Sequence, residues 1–251
     1  MKRLAIILAV LPAIVSCTMN FGFVPIIGNG KLAEKSFTFE SFDGIVVKGA
    51  VDVVFIPTVG ESSAVLRTDE NLLDAYTLEV VGGELVISSE KGKNPMPKDG
   101  TKVTVKAPTI SKMHVSGSGD CSIDGALVAP GDFSFSVSGS GDLEAVSIAC
   151  RNFTSKVSGS GDVEADAILA DSATFTISGS GDIEVKSVTA ESLSVGISGS
   201  GSADIGCKEA GDIDVRISGS GSIRLYGSAR SLNQKVSGSG SINVRNLSLS
   251  R

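Results

Sequence analysis

The chain has 251 residues, 41% of them hydrophobic, with 28 Asp and Glu against 22 Lys and Arg, a formal net charge of −6. That acidic balance speaks against nucleic acid and anionic membrane surfaces as partners. With no Trp, a single His and four Cys in no paired spacing, aromatic sugar platforms and Cys/His metal sites lose their usual ingredients.

In chain order, residues 1–16 read as an export signal. Lys2-Arg3 is a basic start, and Leu4 to Val15 is an apolar run broken by Pro12, too short to span a membrane comfortably. It ends Ile14-Val15-Ser16-Cys17, which resembles a bacterial lipobox. The resemblance implies that Cys17 becomes a lipidated N-terminus tethering the protein to the membrane. Residues 17–35 hold Gly, Pro and Asn with little pattern and are expected to be a tether. No acidic run follows Cys17, so nothing marks the outer surface over the periplasmic side. The expected location is the cell envelope, lipid-anchored at the outer membrane.

Residues 36–114 form an N-terminal β half. Phe37 to Phe42 alternates, Asp43-Gly44 is a turn, and Ile45 to Ile56 is β-rich, with Pro57 as its stop. Ala64–Arg67, Tyr76–Val81, Glu84–Ser88 and Lys102–Lys106 are further strands. Gly82-Gly83 signals a hairpin, Asp69 to Asp74 one helical turn, and Lys91 to Gly100, with Pro95 and Pro97, an exposed loop.

Residues 115–251 are organised by seven copies of Ser-Gly-Ser-Gly followed by Asp or Ser. They begin at Ser116, Ser138, Ser158, Ser178, Ser198, Ser218 and Ser237, a period of about 20 residues. Each copy reads as a tight turn whose glycines allow positive φ. The flanks alternate with period two and hold phase from copy to copy, as in Ile183/Val185 after a turn and Leu193/Val195/Ile197 before the next. One such unit cannot bury enough to fold alone, so neighbours must stack into a parallel β-solenoid. Two turns per unit predict a flattened coil of two facing sheets, with room for a small third side. Val47-Lys48-Gly49-Ala50-Val51-Asp52-Val53 fits a degenerate eighth copy. It joins the halves into one β structure, with the N-terminal half covering the first coil's open edge. No helix or charged block closes the last coil, which raises self-association into a homo-oligomer.

Asp43-Gly44-Ile45, Gly49 to Val53, Asp69 to Leu73 and the serial Ser-Gly-Ser-Gly-Asp together resemble the family DUF2807, the "putative auto-transporter adhesin head GIN domain". The likeness runs from about Ser36 to about Ser241. It implies a right-handed parallel β-helix of the pectin-lyase-like kind, an exported adhesin, and no catalytic residues.

Several side chains carry candidate chemistry. Asp120, Asp142, Asp162 and Asp182 share one turn position, with Ser202, Ser222 and Ser241 in the later copies. Stacked carboxylates favour a cation, calcium being the candidate; otherwise each caps its own turn. Glu144, Glu164 and Glu184 point outward on adjacent rungs, at a spacing that nearly suits glycoside hydrolysis, or simply face solvent. His114 lacks a Ser-Asp constellation, and Cys121, Cys150 and Cys207 read as small fillers. No cofactor is expected beyond that conditional calcium. The reading is a non-enzymatic envelope lipoprotein that binds or adheres, with a glycan or protein partner. The alternatives are a carbohydrate-active enzyme on the same frame and a periplasmic protein-binding factor.

Overall fold

The computed structural model describes residues 24–250; the export signal and Cys17 lie outside them. The N-terminal part holds β1 (Val24–Ile27), β2 (Leu32–Phe39), β3 (Gly44–Val47), β4 (Asp52–Pro57) and β5 (Ser62–Asp69). A 3₁₀ helix (Glu70–Ala75) follows, then β6 (Tyr76–Val81), β7 (Glu84–Ser89), β8 (Lys93–Met96) and β9 (Lys102–Ala107).

The repeats then wind as a parallel β-solenoid of about seven turns. β10 (Lys112–Val115) and β11 (Cys121–Val128) make the first turn, β12 (Phe133–Val137) and β13 (Leu143–Ala149) the second. β14 (Asn152–Val157) and β15 (Val163–Leu169) make the third, β16 (Ser172–Ile177) and β17 (Ile183–Thr189) the fourth. β18 (Ser192–Ile197) opens the fifth. β19 (Ser202–Ile217) and β20 (Ser222–Val236) each run unbroken from one turn of the solenoid into the next, and β21 (Ser241–Leu249) ends the last. Each strand before a Ser-Gly-Ser-Gly turn pairs in parallel with its equivalent one coil away, as Phe153 with Ala173, making a first sheet, and each strand after it does likewise, as Val163 with Ile183, making a second. Equivalent residues therefore sit one above another at about 4.8 Å.

The N-terminal half joins this stack out of sequence order. β3 lies between β7 and β10, and β4 between β9 and β11, all parallel. The chain thus lays down the 44–57 coil first, departs, adds the 84–107 coil on one side, and crosses to the other to begin the repeats. β6 pairs antiparallel with β7, and β5 antiparallel with β9 and β2. These reversed strands close the end of the stack. Inside this cap, Thr68, Thr101 and Tyr76 join their hydroxyls at 2.8 Å per contact.

Two local expectations change. Much of the expected tether is folded: β1 pairs with β8, and β2 with β5. The buried Asp69 carboxylate accepts the Gly30 N–H and, at 2.9 Å, the Lys98 N–H, pinning both segments. By the same pairing, the expected Lys91–Gly100 loop contains β8, because β1 supplies the partner its prolines still permit at a sheet edge. The Gly82-Gly83 hairpin and the helical turn after Asp69 form as read.

The glycine turns also form, for a different reason. Among the Ser-Gly-Ser-Gly glycines only Gly238 has a left-handed φ. Elsewhere a Cβ would strike the coil below: at Gly159 it would lie 1.8 Å from the Gly139 carbonyl oxygen. Close stacking of coils, not backbone chirality, demands glycine.

The core is one continuous column. Phe133, Phe135, Phe153 and Phe175 interlock with ring centroids 5.1–6.2 Å apart. Ser155, fully buried, takes an inward place in register between Phe135 and Phe175. After the glycine turn the alternation slips once in β13, β15 and β17. Val146 and Ser147 both face outward or sideways, and Ile148 then returns to the core. The strand bends at that slip, and Leu127, Ile148, Ile168, Val188 and Cys207 line the resulting short third side.

Candidate binding surface

The outward residues fall into columns because the coils stack in register. At the glycine edge the column is Asp52, Asp120, Asp142, Asp162, Asp182. Each carboxylate reaches one coil onward and accepts a backbone N–H there. Asp120 donates to Asp52 at 3.0 Å, Asp142 to Asp120 at 3.1 Å, and Asp162 to Asp142 at 2.8 Å. Asp182 donates to Asp162 at 2.7 Å, and Ser202 to Asp182 at 2.6 Å. The caps therefore run between coils and not within a turn, and Asp52 extends the ladder into the degenerate copy. One oxygen of each carboxylate is spent on this bond. Among the described residues, no three His, Cys, Asp or Glu converge as a metal would require.

Beside this ladder runs a second acidic column. Glu144, Glu164 and Glu184 are direct register partners on β13, β15 and β17, and Asp204 continues them on β19. The three glutamates line a shallow groove of about 490 Å³ on the outer face of the second sheet, flanked by Asp124 and Asp166. Lys102 and Lys186 also line it, and Lys186 holds Asp166 at 2.7 Å. Partial desolvation, then the charges of Glu144 and Glu184, push the Glu164 carboxyl above its ordinary range. The middle of the groove thus gathers three carboxylates, and it favours hydrogen-bond donors and cationic groups.

At the far end the pattern changes. Arg224 pairs with Asp204, and the Tyr226 ring lies over Gly206, its hydroxyl 3.4 Å from the Lys186 carbonyl. The sequence reading missed Asp124, Asp166 and Lys186; the place of Asp166 and Lys186 two residues beyond Glu164 and Glu184 was the available signal.

The remaining candidates sit elsewhere. His114 is half-buried on the first sheet between Val46 and Ser136. Burial pushes the Cys121 thiol up to about 12 and those of Cys150 and Cys207 to about 11; all three are unpaired. Such thiols are poor nucleophiles and poor ligands.

A family model described as "Putative auto-transporter adhesin, head GIN domain" (DUF2807) matches residues 41–210 and again 177–251. The fold resembles that of a crystallised "putative adhesin" from Bacteroides fragilis, with TM-score 0.76 and 21% identity, over 87% of this chain and 99% of that one. A "putative lipid binding protein" from Parabacteroides distasonis aligns with TM-score 0.74 and 24% identity, over 88% and 99%. A "putative adhesin" from the same species gives 0.72 and 20%, over 88% and 99%. At these identities the likeness is one of fold. No curated protein matches the chain.

Proposed function

The chain belongs to the family DUF2807, and from that premise we propose that it is a non-enzymatic binding module of the cell envelope. It is held to the outer membrane through lipidated Cys17, and it presents its acidic groove to a hydroxyl-rich or amino-bearing glycan.

The observation that carries this reading is the register-matched Glu144, Glu164 and Glu184 column lining an open groove on a stiff wall. Carboxylates are strong acceptors for sugar hydroxyls and ammonium groups. Because the coils beneath them are locked, little ordering cost accompanies binding. A repeated, shallow row of equivalent groups suits a polymer gripped at several places.

The test is a glycan array and bacterial envelope fractions probed with the folded chain. Saturable binding that Glu164→Lys abolishes is the expected result; retention by that variant would move the site elsewhere. Anchoring is tested by incorporation of a labelled fatty acid, expected in the full chain and lost in Cys17→Ser.

One feature keeps the carbohydrate-active alternative in view. Glu164 is raised and stands one rung from Glu144 and one from Glu184, and glycoside hydrolysis uses a pair of neighbouring carboxyl groups. Release of reducing ends from a bound glycan, lost in Glu164→Gln, would replace the binding reading with that one.

A further inference from the structure

Charge is segregated along this acidic chain. No Asp or Glu follows Asp214, while Arg216, Arg224, Arg230, Lys235, Arg245 and Arg251 do. Three of these are neutralised: Arg216 by Asp214 at 3.0 Å, Arg224 by Asp204, and Arg230 by Asp212 at 2.7 Å. Among the described residues Lys235 has no ion pair.

On the outer face of the first sheet, Lys156, Thr176, Gly196, Arg216 and Lys235 form one register column across five adjacent strands. Gly196 differs from the glycines of the turns. A Cβ built on it meets nothing within 4 Å, and its φ is not left-handed. Neither packing nor backbone requires glycine there, and a mid-strand glycine weakens a strand. Its effect is a notch: a depression of about 340 Å³ lined by Thr176, Ser198, Arg216, Ser218 and Lys235.

We infer that this notch binds the negatively charged group of an acidic saccharide, a carboxylate, phosphate or sulfate borne on a sugar ring. Arg216 and Lys235 are neighbours in register, so their strands lie about 4.8 Å apart and both cations rim the notch. An anion there pairs with the Lys235 ammonium and with the guanidinium N–H groups that Asp214, held through one nitrogen, leaves open. The guanidinium offers a planar fork and the ammonium a point charge, a complementary pair for an oxyanion. The Thr and Ser hydroxyls around the rim match the ring hydroxyls of a sugar. Asp212 and Asp214 flank the basic pair through Arg230 and Arg216; they repel an extended anionic bilayer but leave room for one small anionic group. The site lies on the opposite sheet from the acidic groove and stands or falls independently of it.

The test is titration calorimetry at low salt with glucuronate and glucose 6-phosphate, against glucose, inorganic phosphate and vesicles containing phosphatidylglycerol. The charged sugars are expected to bind, glucose not at all, and phosphate at least tenfold more weakly than glucose 6-phosphate. Lys235→Ala, on an exposed edge, should weaken the charged sugars about tenfold. Gly196→Val, which fills the notch, should abolish binding while thermal melting stays cooperative. Glu61→Gln, exposed in the N-terminal cap, should leave these affinities unchanged. Equal binding of glucose and glucuronate, equal affinity for bare phosphate, retention by Gly196→Val, or binding to vesicles alone would each overturn the inference.

Discussion

The carboxylate of Asp162 accepts the backbone N–H of Asp182, on the next coil, at 2.7 Å. The same bond recurs from Asp52 to Ser202 and makes a side-chain ladder parallel to the backbone ladders of the sheets. It gives a structural reason for a repeated Asp at the glycine edge, without invoking a bound ion. The ladder ends where serine replaces aspartate, because a Ser hydroxyl is too short to make the same reach. Ser222 instead contacts Ser202 through its hydroxyl at 3.2 Å.

Removing one rung isolates its contribution. Asp162→Ala leaves the Asp182 N–H without its acceptor and is expected to cost about 1 kcal/mol, read as a lowered Tm. Asp162→Asn keeps an acceptor oxygen and should cost clearly less. With one oxygen per carboxylate already engaged, millimolar calcium should leave Tm unchanged in the unaltered chain and in both variants. A calcium-dependent rise lost in the variants would establish a cation on the ladder.

Two glycine substitutions should separate sharply. At Gly159 a Cβ would lie 1.8 Å from the Gly139 carbonyl oxygen, whereas at Gly131 it meets nothing within 4 Å. Gly159→Ala is therefore expected to destabilise by about 3 kcal/mol, since a backbone carbonyl cannot swing aside. Gly131→Ala should stay within about 0.5 kcal/mol. Urea unfolding of the two variants measures both.

Ser155 is fully buried and its hydroxyl has no partner. The small side chain makes room for the phenylalanines on either side, but its oxygen was taken from water without compensation. Ser155→Ala should accordingly stabilise the protein by about 1 kcal/mol. Ser155→Leu should destabilise it, because the space among Phe135, Phe153 and Phe175 is already filled. Chemical denaturation midpoints decide both.

Glu164 supplies a pH signature. Its carboxyl is raised in the folded protein, first by desolvation and then by Glu144 and Glu184. A raised carboxylate holds its proton more tightly when folded. Above that raised pKa the ionised side chain therefore opposes folding, and the penalty disappears as pH falls toward the ordinary carboxylate range. Glu164→Gln should raise Tm slightly at neutral pH, by an amount worth roughly 0.5 kcal/mol given its exposure. The gain should shrink in high salt and vanish near pH 4. A gain that persisted in acid would assign it to packing instead.

Much of this architecture was legible in the residues alone. The recurrence from Ser116 to Ser237 announced the coil length, and the period-two alternation of Ile183/Val185 and Leu193/Val195/Ile197 announced which side chains turn inward. Both are local patterns, and a strand's own alternation decides which of its faces is apolar. The match of Val47 to Val53 to the repeat placed the N-terminal half in the same stack for the same reason. The order of coils was not legible: β3 and β4 slip between strands that come later in the chain, and Asp52 meets Asp120 only because of that insertion. Nor was the burial of Ser155, whose hydroxyl argues locally for solvent, or the notch at Gly196, which exists only relative to Thr176 and Arg216 on neighbouring coils. Periodicity specifies what each coil looks like from within. Which coil touches which, and what space is left between their side chains, arises from contacts between residues remote in sequence, and those come into being only when the coils stack.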